Sequence, residues 1–326
     1  MARNNAILVG DVGGTHARFA IVDVSGPPPW RIEKRLDLDQ GFPSFAEAIK
    51  TYIERSGVAD VPWSAAIAVA GPVTAGSAQF TNRQWEISER SLTDIGFGEA
   101  LLINDFVALA YAVDVLGVDD ACPIGPNIAG LPGEPISILG AGTGFGVSCL
   151  ARRGDRIVPV ATEGGHIAFA PTNEEELAVL RCLWKEFGRV SIERILSGPG
   201  LENIDRALQQ LAGREARARS AAQITAGAIG GEADCLHALN LFCAIYGSVA
   251  GDFALAQGAR GGVYIAGGIA QKILAFLVHS DFRKRFESKG RLSPYVEAIP
   301  TNLILNTEAA LLGAARAATA MQGFAR

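Results

Sequence analysis

Apolar residues in this chain fall into short runs that end at glycine or at a charged side chain, and these runs alternate with stretches of helical period. Residues 6–9 form a run of strand length that stops at Gly10-Asp11. Residues 18–22, with Phe19-Ala20-Ile21-Val22 apolar and β-prone, predict a second strand, so the first glycine turn joins strand to strand. Residues 44–55 have helical periodicity. A buried strand is expected over 65–70, ending at Gly71-Pro72, and another over 100–103, ending at Asn104-Asp105 with a helix over 106–115 behind it.

The second half repeats this logic. Residues 136–139 predict a strand that runs into Gly140-Ala141-Gly142-Thr143-Gly144-Phe145-Gly146, and 147–150 continue as a strand. Residues 157–160 lead to Glu163-Gly164-Gly165-His166. Glu174–Phe187 reads as an amphipathic helix and 234–256 as a long buried one. Gly262–Ala266 is a strand ending at Gly267-Gly268, 269–278 is helical, and 308–321 is a terminal helix with Thr307 as its N-cap. Strands alternating with helices predict an α/β protein. The proline- and glycine-rich stretch 123–135 reads as a loop with a domain hinge just before it.

Composition narrows the function classes. Of 326 residues 49% are hydrophobic and 19% charged, which excludes disorder as a description of the whole. The 38 glycines have no collagen-like period and are expected in turns and close backbone approaches. A net charge of −5 argues against non-specific nucleic-acid binding and against charge-driven docking on an anionic membrane. The densest basic stretch, Arg283-Lys284-Arg285 with Lys289 and Arg291, is interrupted by Glu287 and reads as a solvated surface helix. The run at 6–9 is too short for a signal peptide. Residues 241–251, bounded by Asn240 and Asp252, fall short of the ~18 needed to span a bilayer. Five scattered cysteines, without a CxxC or a His/Cys pair at zinc spacing, indicate neither a disulfide framework nor a metal cluster and fit a reducing cytoplasm.

A turn without side chains lets backbone N–H groups converge on an anion. Two familiar phosphate motifs fail on spacing. A P-loop from Gly10 would need a second glycine at position 15 followed by a lysine, and Thr15 stands there with no lysine after it. A dinucleotide GxGxxG started at Gly140 or Gly142 meets Phe145 or Val147 at its third glycine. What remains is strand–glycine turn–strand, twice, at 11–15 and 142–146, which could clamp one polyphosphate from two domains. Asp11 at a strand end could hold Mg²⁺ through water, and Thr15 could offer a hydroxyl to phosphate. Asp105 follows an apolar strand and precedes a helix. Ligands gather at strand ends, the helix N-terminus favours a charged carboxylate, and phosphoryl transfer needs a group to take a hydroxyl proton. By residue type alone Asp105 could be that base or a helix cap. His166 could be a packed histidine or a ligand, and Glu193 a first-turn residue capped by Ser191 or a ligand.

Six motifs occur in the order seen in bacterial glucokinases. They are Gly10-Asp11-Val12-Gly13-Gly14-Thr15-His16-Ala17-Arg18, Asn104-Asp105-Phe106, Gly142-Thr143-Gly144-Phe145-Gly146, Glu163-Gly164-Gly165-His166, Glu193-Arg194-Ile195-Leu196-Ser197-Gly198-Pro199-Gly200-Leu201 and Gly267-Gly268-Ile269. The chain resembles that family over nearly its whole length. The resemblance implies the sugar kinase/actin/Hsp70 superfamily, with two ribonuclease-H-like (actin-like ATPase) domains and ATP in the cleft between them. We expect a small domain over 1–110 with about 301–326, and a large one over about 111–300. No cysteine cluster follows Glu163-Gly164-Gly165-His166, which sets the chain apart from the zinc-binding repressor/ORF/kinase group.

The same resemblance implies D-glucose phosphorylation at the 6-hydroxyl, with Asp105 as general base and domain closure on sugar. Asn104, Asp105, Glu163, His166 and Glu193 then hold glucose, and Asn82 is a further sugar contact. Gly10, Asp11, Val12, Gly13, Gly14 and Thr15, with Gly142, Thr143 and Gly144, take the phosphates. Gly267 and Gly268 lie against adenine or ribose, and Mg²⁺ is held with Asp11 through water. Arg18 either neutralises phosphate or lies on the outer face of its strand. His16 receives no catalytic role, and His237 and His279 are structural. A cytoplasmic homodimer using ATP and Mg²⁺ is expected, with no nucleic acid or membrane partner. Two other classes remain: a sugar sensor, which would usually add a DNA-binding segment not seen before residue 6, and a nucleotide-driven motor, in which Glu163, His166 and Glu193 have no purpose as a set.

Overall fold

The computed structural model describes residues 5–13, 17–38, 42–58, 61–79, 85–154 and 156–322. Contacts divide the chain into two units, the described residues of Met1–Ala121 with those of Asn306–Arg326, and Cys122–Leu305.

In unit 1 the elements are β1 (Ala6–Val12), β2 (Ala17–Asp23), β3 (Ile32–Leu38), α1 (Phe45–Ser56), β4 (Ser64–Val69), β5 (Ser77–Gln79), β6 (Glu86–Ser88), α2 (Glu89–Ile95), β7 (Glu99–Asn104) and α3 (Asp105–Val113). The main sheet has the order β3-β2-β1-β4-β7, and β5 pairs with β6 as a small ribbon. β1 and β2 are antiparallel, with Asp11 opposite Arg18, and β4 and β7 are added in parallel. Every residue of β4 is buried, as a central strand covered on both faces requires. Leu8, Phe19 and Ile67 face Ile49 and Tyr52 of α1. On the other face Ile7, Val9 and Ala20 meet Leu311, Ala314 and Ala315 of the terminal helix Ala309–Gln322. The chain end thus completes the core that its beginning opens. Just before that helix Asn306 Oδ1 accepts the Glu308 N–H at 2.7 Å.

In unit 2 the elements are β8 (Ala121–Pro123), β9 (Ile136–Ala141), β10 (Phe145–Arg153), β11 (Arg156–Thr162), α4 (Glu174–Phe187), α5 (Gly198–Leu211), α6 (Ala221–Ile229), α7 (Ala233–Gln257), β12 (Gly262–Ala266), α8 (Gly268–Lys272), α9 (Leu274–Leu277), α10 (Phe282–Glu287), α11 (Ser293–Glu297) and β13 (Thr301–Ile304). The sheet order β11-β10-β9-β12-β13-β8 repeats the plan of unit 1, with an antiparallel meander and then β12 and β13 added in parallel. α7 is long and apolar enough to cross a membrane by length and composition, yet 78% of its apolar window is buried inside the protein. Its glycines explain how closely α10 packs on it. A Cβ at Gly247 would lie 1.9 Å from the Phe282 carbonyl oxygen, and one at Gly251 2.5 Å from that of Phe286. All five cysteines are free thiols, and Cys243 on α7 is buried.

The basic stretch is not a solvated face. Arg283 is buried, donating to Glu287 and to the Ile299 and Glu297 carbonyls, and Arg285 pairs with the buried Glu176 of α4 at 2.7 Å. Lys289 reaches Asp252 at 2.7 Å. Of the cations in this run Lys284, with 76% of its side chain exposed, and Arg291 stay outside. Bonds to Glu287, Glu176, Asp252 and backbone carbonyls, invisible in a charge count, turn Arg283, Arg285 and Lys289 inward.

Candidate active site

In unit 1 the strand ends of β1 and β7 bring two carboxylates into electrostatic range. Asn104 closes β7 and caps α3: its Oδ1 accepts the N–H groups of Phe106 (2.9 Å) and Val107 (3.2 Å). Its Nδ2 donates to the Gly71 carbonyl (3.1 Å) and to Asp105 Oδ1 (2.9 Å). The cap is therefore Asn104, and Asp105 is the first helical residue. The Asn104 amide has all its hydrogen-bonding capacity engaged, so a sugar hydroxyl would have to replace one of these bonds.

Asp105 also accepts the Phe106 N–H at 2.9 Å. These bonds favour the carboxylate, as a helix N-terminus should. Burial and the nearby Asp11 charge outweigh them and push the Asp105 carboxyl up to about 7. Asp11 is ion-paired with Arg18, its partner across the β1–β2 ladder, and Arg18 also donates to the Thr307 carbonyl at 2.8 Å. Arg18, partly exposed, is thus committed to Asp11 and to the Thr307 carbonyl. Gly10 lies inside the β1 ladder, where a Cβ would meet Ile67 Cδ1 at 2.7 Å and the Phe19 ring at 3.0 Å. Val12 is fully buried in the core, and Gly13 ends the described part of the turn. Gly14, Thr15, His16 and Asn82 lie outside the described residues.

In unit 2 three sequence motifs meet at one residue, Phe145. Its N–H donates to Glu193 Oε2 at 2.9 Å. Its carbonyl oxygen lies where a Cβ on Gly165 would be only 2.0 Å away. Its ring packs edge-on against Tyr246, with centroids 5.7 Å apart. Gly144 is equally confined: a Cβ there would sit 2.5 Å from Glu193 Oε2. Gly142 N–H closes the turn on the Gly144 carbonyl (2.8 Å), and the Gly142 carbonyl accepts the Gly198 N–H at the start of α5 (2.8 Å). Thr143 sits at the tip of this turn.

Glu193 belongs to a 3-10 turn, Ile192–Arg194. Ser191 precedes it without a side-chain capping bond, so Glu193 is not the capped helix residue that its spacing allowed. The chain around it lies beside the Glu163–His166 segment through the Ile192 N–H bond to the Ile167 carbonyl (3.0 Å) and that of Phe169 to Val190 (3.0 Å). Glu163 and His166 flank the 3-10 turn Gly164–His166 and are 3.9 Å apart, with 70% and 59% of their side chains exposed. His166 is therefore not a packed core histidine. Gly164 beneath them has no room for a Cβ against Phe253 and Val147. Gly267, with φ +92°, comes within 2.3 Å (as a virtual Cβ) of the Ala141 carbonyl oxygen, so the third glycine turn abuts the strand that leads into the second. Gly268 opens α8 in open space.

Sequence reasoning missed the Phe145 amide and the anchoring duty of Asn104. The glycines on either side of Phe145's contacts, Gly144 and Gly165, were the available signal. His237, read as structural, is 2.6 Å from Glu175.

A family model described as glucokinase matches residues 8–321. The chain is 49% identical over 313 residues to a glucokinase of Caulobacter sp. (strain K31), covering 96% of this chain and 94% of that one. The structure is similar to that of a glucokinase from an Antarctic psychrotroph, with a TM-score of 0.88, 36% identity, and coverage of 96% and 98%. It also resembles a Streptomyces griseus ROK family glucokinase in complex with glucose and AMPPNP, with a TM-score of 0.64, 20% identity, and coverage of 98% and 100%. The mixed α/β architecture is the actin-like ATPase fold of these sugar kinases.

Proposed function

The chain belongs to the glucokinase family of hexokinase-type sugar kinases, and on that premise we propose that it transfers the γ-phosphoryl group of ATP to the 6-hydroxyl of D-glucose with Asp105 as the general base. The observation that carries the proposal is the Asp105 carboxyl, pushed up to about 7 at a strand-to-helix junction. A base works best when its proton affinity lies near the operating pH. Asn104 holds one Asp105 oxygen at 2.9 Å, and the other remains for the 6-hydroxyl proton.

We assign Glu163, His166 and Glu193 of unit 2 to the remaining glucose hydroxyls. Two exposed side chains and a carboxylate with one oxygen fixed are suited to bonding several hydroxyls at once. We assign the backbone amides of the turn that follows Val12 and those of Thr143 and Gly144 to the phosphates, and Gly267-Gly268 to the adenosine side. Closure of the domains on sugar, which would exclude water, belongs to the same proposal.

Magnesium fits the donor set. Among the described residues no group of three or more His, Cys, Asp or Glu could cage a metal ion. Magnesium usually takes one or two carboxylates and leaves its other positions to water and phosphate. Asp11 would hold it through water, where the ion would neutralise charge on the phosphate oxygens.

The test is ADP release with Mg·ATP across glucose, mannose, fructose, N-acetylglucosamine and no sugar. Dependence on glucose is expected. Sugar-independent hydrolysis, or glucose binding with no ADP released, would refute the proposal.

A further inference from the structure

We propose that Glu193 is a positioning residue that links the hexose to the phosphate turn: its Oε2 holds the Phe145 amide, its Oε1 takes a sugar hydroxyl, and each ligand therefore strengthens binding of the other. The inference rests on the assignment of Glu193 to glucose and extends it to the nucleotide.

The geometry at the turn is specific. Glu193 Oε2 accepts the Phe145 N–H at 2.9 Å, at the point where the turn re-enters β10. The Gly142 amide is spent on closing the turn, so a phosphate is left the amides of Thr143 and Gly144, between the two fixed ends. The anion already resident at this turn is the protein's own carboxylate.

The backbone that carries Glu193 is framed firmly. Its carbonyl accepts Ser197 Oγ–H at 2.7 Å, and Ser197 in turn caps α5 through the Gly200 N–H at 2.9 Å. Asn203 Nδ2 donates to the Arg194 carbonyl at 2.9 Å. The start of α5 is tied to the turn by the Gly198–Gly142 bond. Frame and turn are thus one piece, and the Glu193 side chain is the adjustable part. A sugar that fixes this side chain has already ordered the turn that the phosphates need. A second ligand that meets an ordered site binds more tightly, and the gain is reciprocal.

Gly144 offers a way to cut the link without touching either ligand's polar groups. A methyl there would meet Glu193 Oε2 at 2.5 Å, and that atom is the free end of a flexible side chain. Gly144→Ala should therefore swing the carboxylate off Phe145 and leave the fold standing.

The experiment is calorimetric titration of the full chain with glucose and with Mg·AMPPNP, each alone and in the presence of the other. In the parent protein glucose should tighten nucleotide binding by roughly fivefold or more, within the usual range of coupling. In Gly144→Ala that factor should fall toward one, with glucose affinity reduced about tenfold. A Gly144→Ala protein whose nucleotide affinity alone changes, with glucose affinity and coupling intact, overturns the proposal. Glu193→Asp, one methylene too short to serve both partners, provides the same readout if Gly144→Ala does not fold. Glu193→Gln separates the two levels of argument: unchanged glucose affinity in it would refute the sugar assignment itself, whereas weakened glucose binding with coupling intact would refute only the link.

Discussion

The β1–β2 hairpin of unit 1 and the β9–β10 hairpin of unit 2 occupy the same place in sheets of the same order, yet they manage charge in opposite ways. The first carries its carboxylate in its own strand, and Arg18 directly across the ladder pairs with it. The second has no acidic residue in its turn and receives Glu193 from 48 positions further along the chain. The consequences differ too. The Asp11 charge raises the proton affinity of Asp105, whereas the Glu193 carboxylate is satisfied by an amide. One plan of strands thus supports an electrostatic use in one unit and a positioning use in the other.

The largest expected effect is on the electrostatic side. Asp105→Asn should lower kcat by about 10²–10⁴-fold with glucose still bound, read as coupled ADP release. A loss smaller than about tenfold would remove Asp105 from the role of base. Next, the two hairpins should differ in tolerance to a methyl group. Gly165→Ala drives a Cβ against the Phe145 carbonyl oxygen, a rigid atom, and should cost about 1–3 kcal/mol, seen as a lowered Tm. Gly10→Ala meets the tip of Ile67 and the Phe19 ring, which can shift, and should cost less. Equal losses would say that both hairpins are equally rigid.

The pH dependence has a definite sign. A base works as the carboxylate, so kcat/KM should fall about tenfold per pH unit below about 7. The folded protein binds this proton more tightly than the unfolded chain does, since the carboxyl is raised from 3.8. Stability from this group is full below the unfolded value and declines as pH rises to about 7. Asp105→Asn should accordingly raise Tm at pH 8 and leave it nearly unchanged at pH 4. An alkaline instead of an acidic loss of activity would contradict the assignment. The smallest effect is expected far from both hairpins. His237→Gln breaks an exposed pair with Glu175 and should change stability by no more than about 1 kcal/mol in a denaturant titration.

Much of the framework was legible because apolar runs bounded by glycine have one good reading. Both hairpins, the strand before Asp105 and the buried helix α7 follow from it. β3 did not, because Ile32–Leu38 is an edge strand whose charged residues face water and erase the apolar signal. The start of α5 was also hidden, since Ser-Gly-Pro-Gly reads as a turn although Ser197 caps it and proline is tolerated in the first helical turn. At the site, residue types pointed to Asp105 and Glu193. The sign of the Asp105 shift and the Phe145 contact depend on distances between segments far apart in sequence, and no spacing rule contains them.

The burial of α7 has a practical consequence for anyone following how unit 2 comes apart. Cys243 sits at the middle of that helix, fully shielded, and burial pushes its thiol up to about 12. A protonated, covered thiol does not attack an alkylating reagent. Iodoacetamide should therefore modify Cys243 only when the helix leaves its surroundings, while the half-buried Cys122 and Cys182 react sooner. The rate at which this one position acquires label is a clock for opening of the interior, carried by the chain itself and readable by mass spectrometry.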